Sequence, residues 1–240
     1  MGVPKYRRIL LKISGEALAG ENSSGLDFKF IGRVCQAIRH CTQEGIQVAI
    51  VVGGGNFWRG ARAAGTQMER SRADQMGMLA TVINCLALAE CLGQCGVEAR
   101  VQTAVEMQEI AELYIRNKAV SHLEKGRVVV LGCGTGSPYF TTDTGAVLRG
   151  VELNVDAVLL AKNVDGVYDS DPKKNPNAKR FDQITYDDIL KNHLSVVDFT
   201  ATSLAMDNQL PLVLFALEDP ENIYRVVMGE NLGTIVKEAF

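Results

Sequence analysis

The stretch Gln47-Val-Ala-Ile-Val-Val-Gly-Gly-Gly-Asn56 runs from β-branched residues straight into three glycines. A short apolar run closed by turn formers reads as a buried strand, and the glycines let the backbone approach a neighbour closely. The same order recurs on either side of it. Residues 9–13 precede Ser14-Gly15-Glu16, and residues 127–131 precede Gly132-Cys-Gly-Thr-Gly136. Further runs at 98–101, 157–160 and 212–216 alternate with longer helical patterns. This alternation predicts an α/β fold, a three-layer αβα sandwich with a largely parallel central sheet.

Helical spacing is clearest in Phe30, Ile31, Val34, Ile38 and Cys41, which fall three or four apart before Gly45 ends the pattern. A second helix is expected from near Asp74 to Leu92, with Met78, Leu79, Val82, Ile83 and Leu86 on one side; its methionines read as core filling, and its Leu79 to Leu92 stretch suits a subunit interface as well as the core. Thr185-Tyr-Asp-Asp188 reads as a capping box with no chemistry attached. No repeat, low-complexity tract or linker divides the chain, so residues 1–240 are expected to form one domain.

Composition narrows the function. Across 240 residues, 25 Lys and Arg face 28 Asp and Glu for a net charge of −3, with 6% aromatics. That balance supplies neither the positive field nor the stacking platforms of a dedicated nucleic-acid binder. The longest apolar runs, 128–131 and 212–217, are strand-sized where a membrane span needs about 20 residues, and residues 1–12 hold no apolar signal core. A cytoplasmic protein away from membranes is expected. Cys35, Cys41, Cys85, Cys91, Cys95 and Cys133 include no Cys-x-x-Cys pair and read as small buried hydrophobes, and no protein metal site is expected.

Three glycine-rich junctions at strand C-terminal ends place open backbone N–H groups on the edge where α/β sheets bind ligands, and together they point to a polyphosphate. The familiar fingerprints are absent. There is no Gly-x-x-x-x-Gly-Lys-Ser/Thr, Gly132-x-Gly134-x-Gly136 is not Gly-x-Gly-x-x-Gly, and the protein-kinase signatures are missing. Charged residues sharpen the phosphate reading: Lys12 ends the first strand, Arg59 follows the triple glycine, and Asp74 begins the next helix. A lysine at such a turn neutralises charge on a transferring phosphoryl group. Thr141-Thr-Asp-Thr-Gly145 should open a helix with a threonine cap, and Asp143 in its first turn can position a lysine or magnesium. The turn-rich segment from Asn163 to Pro172 should project beyond the sheet edge, where binding residues collect.

Taken in order, Leu11-Lys-Ile-Ser-Gly-Glu-Ala17, Gly53-Gly-Gly-Asn-Phe-Trp-Arg-Gly60, Asp74-Gln-Met-Gly-Met-Leu-Ala-Thr81, Gly134-Thr-Gly-Ser-Pro-Tyr-Phe-Thr-Thr-Asp143 and Val164-Asp-Gly-Val-Tyr168 resemble the bacterial uridylate kinases, a branch of the amino acid kinase superfamily. The resemblance runs from the first strand to Gly229-Glu230. It implies transfer of a phosphoryl group from ATP to UMP with magnesium, in pyrimidine nucleotide biosynthesis. It also implies that Lys12, Ile13, Ser14 and Gly15 contact the ATP phosphates with Gly55 and Arg59, while Lys162, Asn163, Tyr168 and Asp171 hold the adenosine end. UMP falls to Gly54, Asp74, Thr135, Gly136, Ser137, Pro138, Tyr139, Phe140, Thr141 and Thr142. Lys12 would face the transferring phosphoryl group and Asp143 would hold the site's cations, the pair being catalytic.

The family further implies a homohexamer with UTP as feedback inhibitor and GTP as activator. Gly20, Glu21, Asn22, Ser23, Ser24 and Gly25 stand at the GTP-responsive segment of many members, and also read as an ordinary polar loop. Lys162 stands where some relatives have threonine. The rival readings are a superfamily member phosphorylating a carboxylate or carbamate, and a nucleotide-binding regulator without turnover. The Thr135 to Thr142 stretch weighs against the first, and the presence of both Lys12 and Asp143 weighs against the second.

Overall fold

The computed structural model describes residues 3–58, 68–172, 174–194 and 197–239. The chain begins β1 (Arg8–Ile13), a 3-10 turn (Gly15–Ala19), α1 (Phe28–Gln43), β2 (Gln47–Val52), α2 (Arg70–Gln94), β3 (Ala99–Thr103), β4 (Glu112–Leu113), α3 (Arg116–Glu124) and β5 (Val128–Gly132). It continues α4 (Thr142–Glu152), β6 (Ala157–Lys162), β7 (Val167–Tyr168), β8 (Arg180–Phe181), β9 (Gln183–Thr185), α5 (Tyr186–Lys191), α6 (Phe199–Asp207), β10 (Leu212–Ala216), α7 (Asn222–Val227) and β11 (Gly233–Lys237).

Among the described residues the main sheet has nine strands in the order β4-β3-β5-β2-β1-β6-β10-β11-β9. Its ladders are parallel except β10 with β11. β7 and β8 pair separately as an antiparallel ribbon. Helices cover both faces, so the expected αβα sandwich is observed. The six strands read from sequence are all present, two of them with the expected bounds, and the short strands β4, β7, β8, β9 and the antiparallel β11 are additions.

Strand alternation decides what faces the site. Along β1, Ile9, Leu11 and Ile13 enter the core beneath α1, α2 and α7, whereas Leu10 enters the core beneath α3 to α6, and Lys12 shares its parity. β6 repeats this, with Leu159 and Ala161 on the first face and Val158, Leu160 and then Lys162 on the second. The two lysines therefore emerge on the face where α4 begins. Both caps expected from sequence form: the Thr141 hydroxyl accepts from Thr144 N–H at 3.2 Å, and that of Thr185 from Asp188 N–H at 3.1 Å.

Helix α2 departs from expectation. Leu79, Ile83 and Leu86, expected on one side with Met78 and Val82, are exposed at 57%, 46% and 41%, apart from the buried Val82. The buried face is instead Ala73, Ala80, Thr81, Val82, Asn84, Cys85, Ala87, Leu88, Cys91 and Leu92. Small residues bring this helix close to the second glycine junction. A Cβ on Gly54 would lie 2.7 Å from the Gly77 carbonyl and 2.8 Å from the Ala80 Cβ. By length and composition α2 is also apolar enough to cross a membrane, contrary to the expectation of strand-sized apolar runs, and half of that stretch is buried in the fold.

Cys35, Cys41 and Cys85 pack in the core, where burial pushes their thiols upward, Cys41 to about 12.

Candidate active site

The C-terminal ends of the adjacent strands β5, β2, β1 and β6 bring the three glycine junctions and Lys162 to one edge. There Asp143, in the first turn of α4, is gripped from two sides. Lys12 Nζ lies 2.7 Å from its Oδ1 and Lys162 Nζ 2.7 Å from its Oδ2. The three side chains retain only 11%, 12% and 17% exposure for Lys12, Asp143 and Lys162.

Burial pushes the Asp143 carboxyl upward, but the two ammonium groups and their hydrogen bonds outweigh it and hold it below the usual carboxylate value of 3.8. For Lys162, burial and the neighbouring Lys12 overcome Asp143 and hold the ammonium below the usual 10.5. The trio sets two basic side chains against one carboxylate in a water-poor site. Such an array answers the charge on a phosphoryl group without rearranging when the group arrives.

On one side of the trio opens a pocket of about 290 Å³. Gly54, Asp74, Thr135, Ser137, Phe140, Thr141 and Thr142 line it, together with Gly55 from the other expected set. Gly136 and Pro138 line an adjoining apolar pocket of about 330 Å³. Tyr139 lines neither. The residue is 64% exposed, its φ is 73°, and its N–H donates to Asp74 Oδ2 at 2.9 Å.

The Asp74 carboxylate also takes the Arg70 guanidinium, with Nε 3.1 Å from Oδ1 and 2.9 Å from Oδ2. Arg70 lies 5.7 Å from the centre of the Tyr139 ring. Trp58 closes the pocket, its indole N–H held by the Ala73 carbonyl at 2.8 Å.

On the other side a pocket of about 660 Å³ is lined by all four residues expected at the adenosine end, Lys162, Asn163, Tyr168 and Asp171. Asp169, Ser170, Asn192, His193 and Leu194 add to its wall. Tyr168 donates its hydroxyl to Asp165 at 2.8 Å. Of the phosphate-side residues, Ile13 has its side chain wholly in the core, so only its backbone can face a ligand, while Ser14 and Gly15 begin the turn beside Gly53. Arg59 lies outside the described residues. The loop Gly20 to Gly25 is an exposed turn closed at its end by Gly25 N–H to the Asn56 carbonyl at 3.2 Å.

Four residues at this edge escaped sequence reasoning in their structural roles. Asp198 accepts from the Thr141 and Thr144 hydroxyls, which ties the N-terminus of α4 to that of α6. Arg70 holds Asp74, and Asn56 and Asn84 form a buried pair behind the triple glycine. A carboxylate opposite its partner by 57 positions, or an asparagine inside an apolar helix, leaves no local pattern to find.

A glycine-lined sheet edge with a buried Lys-Asp-Lys array defines a phosphoryl-transfer class, and the chain belongs to the amino acid kinase family, whose model matches residues 7–218. Within it the chain is similar over nearly its whole length to solved UMP kinases. The structure of the UMP kinase from Bacillus anthracis matches with a TM-score of 0.95 at 39% identity, covering 98% of this chain and 97% of that one. The UMP kinase from Ureaplasma parvum matches at 0.92 and 40% identity, covering 98% and 100%. A uridylate kinase from Archaeoglobus fulgidus matches at 0.75 and 26% identity, covering 95% and 99%.

Proposed function

We propose that this protein transfers the γ-phosphoryl group of ATP to the phosphate of UMP, giving ADP and UDP, in pyrimidine nucleotide biosynthesis. The observation that carries this reading is the Lys12–Asp143–Lys162 array set between two pockets, one bearing Asp74 and the Thr135 to Thr142 loop. Similarity to two UMP kinases at 39% and 40% identity supports it.

ATP lies with adenosine among Asn163, Tyr168 and Asp171, and its phosphates run over Ser14, Gly15 and Gly55 toward Lys12, with Ile13 offering backbone only and Arg59 closing from the second junction. UMP occupies the opposite pocket. Its ribose hydroxyls donate to Asp74, for which Tyr139 N–H and Arg70 keep the carboxylate in place. The phosphate oxygen of UMP attacks the γ-phosphorus in line as the bond to ADP breaks. Lys12 and Lys162 face the charge spread over the transferring group, and Asp143 holds both ammoniums at fixed positions.

Magnesium enters with the nucleotide. Each Asp143 oxygen faces an ammonium group at 2.7 Å, and no group of three or more His, Cys, Asp or Glu suited to a metal occurs among the described residues, so the donor set fits an ion carried by phosphates. When bound, it would neutralise part of the phosphate charge.

Residues 1–240 are read as one amino acid kinase-like domain acting in the cytoplasm, where its nucleotide substrates are. The exposed apolar row Leu79, Ile83 and Leu86 supports subunit contact in a homohexamer. The loop Gly20 to Gly25 is the segment assigned to GTP response, and UTP is the expected inhibitor. Sedimentation as a monomer at micromolar protein would remove the hexamer, and kinetics indifferent to GTP at subsaturating ATP would remove the activator.

The decisive assay measures ADP release from Mg-ATP with UMP, CMP, dUMP, N-acetylglutamate or no acceptor. Turnover confined to UMP is expected. Turnover on the amino acid would reassign the acceptor pocket, and ATP binding without turnover would make the protein a regulator.

A further inference from the structure

We propose that Asn84 is a positioning residue that aims the second glycine junction at the transferring phosphoryl group and couples that junction to the acceptor helix. The inference rests on the kinase reading above. Asn84 is wholly buried on α2, ten positions beyond Asp74. Its Nδ2 donates to the Gly53 carbonyl at 2.6 Å. Its amide also pairs reciprocally with that of Asn56, at 2.8 and 2.9 Å.

Peptide geometry turns this anchor into a direction. In a planar trans peptide the carbonyl and the next N–H point to opposite sides. Fixing the Gly53 oxygen against α2 therefore fixes the opposite heading of the Gly54 N–H, at the wall of the crevice that Gly54 and Gly55 line. Gly53 N–H is held as well, by the Ile13 carbonyl at 3.0 Å, so the junction is pinned to β1 on one side and α2 on the other. Asn56 extends the clamp to the neighbouring loop, its Nδ2 donating to the Gly25 carbonyl at 2.8 Å.

Helix α2 holds the third junction in the same manner. Thr81, three positions before Asn84 and hence on the same face, accepts from Cys133 N–H at 2.8 Å. One rigid helix thus carries the acceptor carboxylate Asp74 and grips two of the glycine junctions, with about 15 Å between Asp74 and Asn84 along its axis. Transfer requires donor and acceptor at a fixed separation, and a shift of about 1 Å can lower the rate by about 100-fold. Asn84 sets that separation without touching either substrate.

The test is Asn84→Asp, which keeps size and the acceptor oxygen but loses the donor to Gly53. Steady-state kinetics per folded subunit should show kcat lowered by about 10- to 100-fold, with the KM for UMP within about threefold of the parent. A residue that serves folding alone would lower the melting temperature and leave kcat of the folded fraction unchanged. A kcat within about twofold of the parent overturns the proposal.

Should Asn84→Asp not fold, Asn56→Ser leaves the Gly53 bond but removes the amide that orients it. It is expected to lower kcat by about three- to tenfold at unchanged KM for UMP, and an unchanged kcat again overturns the proposal. Should the parent itself fail to turn over UMP, the kinase reading fails separately. Calorimetry with Mg-ADP then decides the positioning claim: weakening by about tenfold in Asn84→Asp supports it, and equal affinity overturns it.

Discussion

Two carboxylates face the same crevice in opposite circumstances. Asp143 is sunk between two sheltered ammonium groups with 12% of its side chain exposed, while Asp74, 17% exposed, pairs with a single guanidinium, that of Arg70, whose own side chain is 61% exposed. The buried array is expensive to disturb because each charge depends on the others for its solvation. The outer pair has its cation in water and only its carboxylate sheltered, so Arg70 holds Asp74 weakly and the carboxylate can yield its oxygens to a ligand. The contrast suggests a division of labour in which the transferring group meets a fixed field and the acceptor meets an adaptable one.

The strongest way to break that contrast is Asp143→Asn. The amide cannot balance Lys12 and Lys162, which are left as like charges in a water-poor site. Removal of one partner of a buried ion pair costs about 3–5 kcal/mol, and loss of a fixed electrostatic contact costs about 100- to 1000-fold in kcat. Urea unfolding and turnover should both register the change, and a variant as stable and active as the parent would show that the array is not the fixed field.

Next in size is the pH response of the same array. Lys162 titrates below the ordinary lysine value of 10.5, so as pH rises it loses its proton earlier than a free lysine would. The alkaline limb of kcat should therefore fall with a midpoint below 10.5, and Lys162→Met should lack that limb at reduced activity. Between the lowered folded value and 10.5 the unfolded chain binds more protons, so this group makes stability rise with pH there. Asp143 acts at the other extreme. Its carboxyl is held below 3.8, so its contribution is present above 3.8 and is lost as pH falls through the lower folded value. A stability profile that already falls between pH 6 and 4 in the parent, and does not in Asp143→Asn, would contradict this order.

What could be read beforehand divides along a similar line. Lys12, Asp143, the Thr141 cap and the three glycine junctions carry local signatures, and the structure brings them to one edge. The contact of Asp143 with Lys162 spans 19 positions and follows from the parity of β6, which is visible only once β6 is placed beside β1. The two-residue strands β4, β7 and β8 are too short for any periodicity.

Helix α2 left its buried face open for a physical reason. It is apolar nearly all round, so its spacing cannot say which face is buried, and the closeness of Gly54 selects the side bearing Gly77 and Ala80 over the larger leucines. Asn84 lies on that same side and could be recognised only when its bond to Gly53 was seen.

On the outer side of the comparison, Asp74→Asn tests the acceptor carboxylate. Loss of charge-assisted hydrogen bonds from ribose hydroxyls should raise the KM for UMP by about tenfold or more, with kcat and the KM for ATP nearly unchanged and no marked loss of stability. An equal rise for ATP would move Asp74 from the acceptor site to a general structural role.

Arg70→Ala should have the smallest effect and is the sharpest test of the word adaptable. The guanidinium it removes is exposed and screened by salt, and Tyr139 N–H, which donates to Asp74 at 2.9 Å, is left to hold the carboxylate. The carboxylate therefore keeps one anchor and gains a freer oxygen for the ribose. A change of less than about threefold in the KM for UMP is expected, together with a melting temperature within about 2 °C of the parent. If Arg70→Ala instead matches Asp74→Asn, the guanidinium itself contacts UMP, and the acceptor end is as firmly built as the phosphate end. Repeating the measurement at high salt separates the cases, because a screened surface pair fades with ionic strength whereas a direct contact in a closed pocket persists.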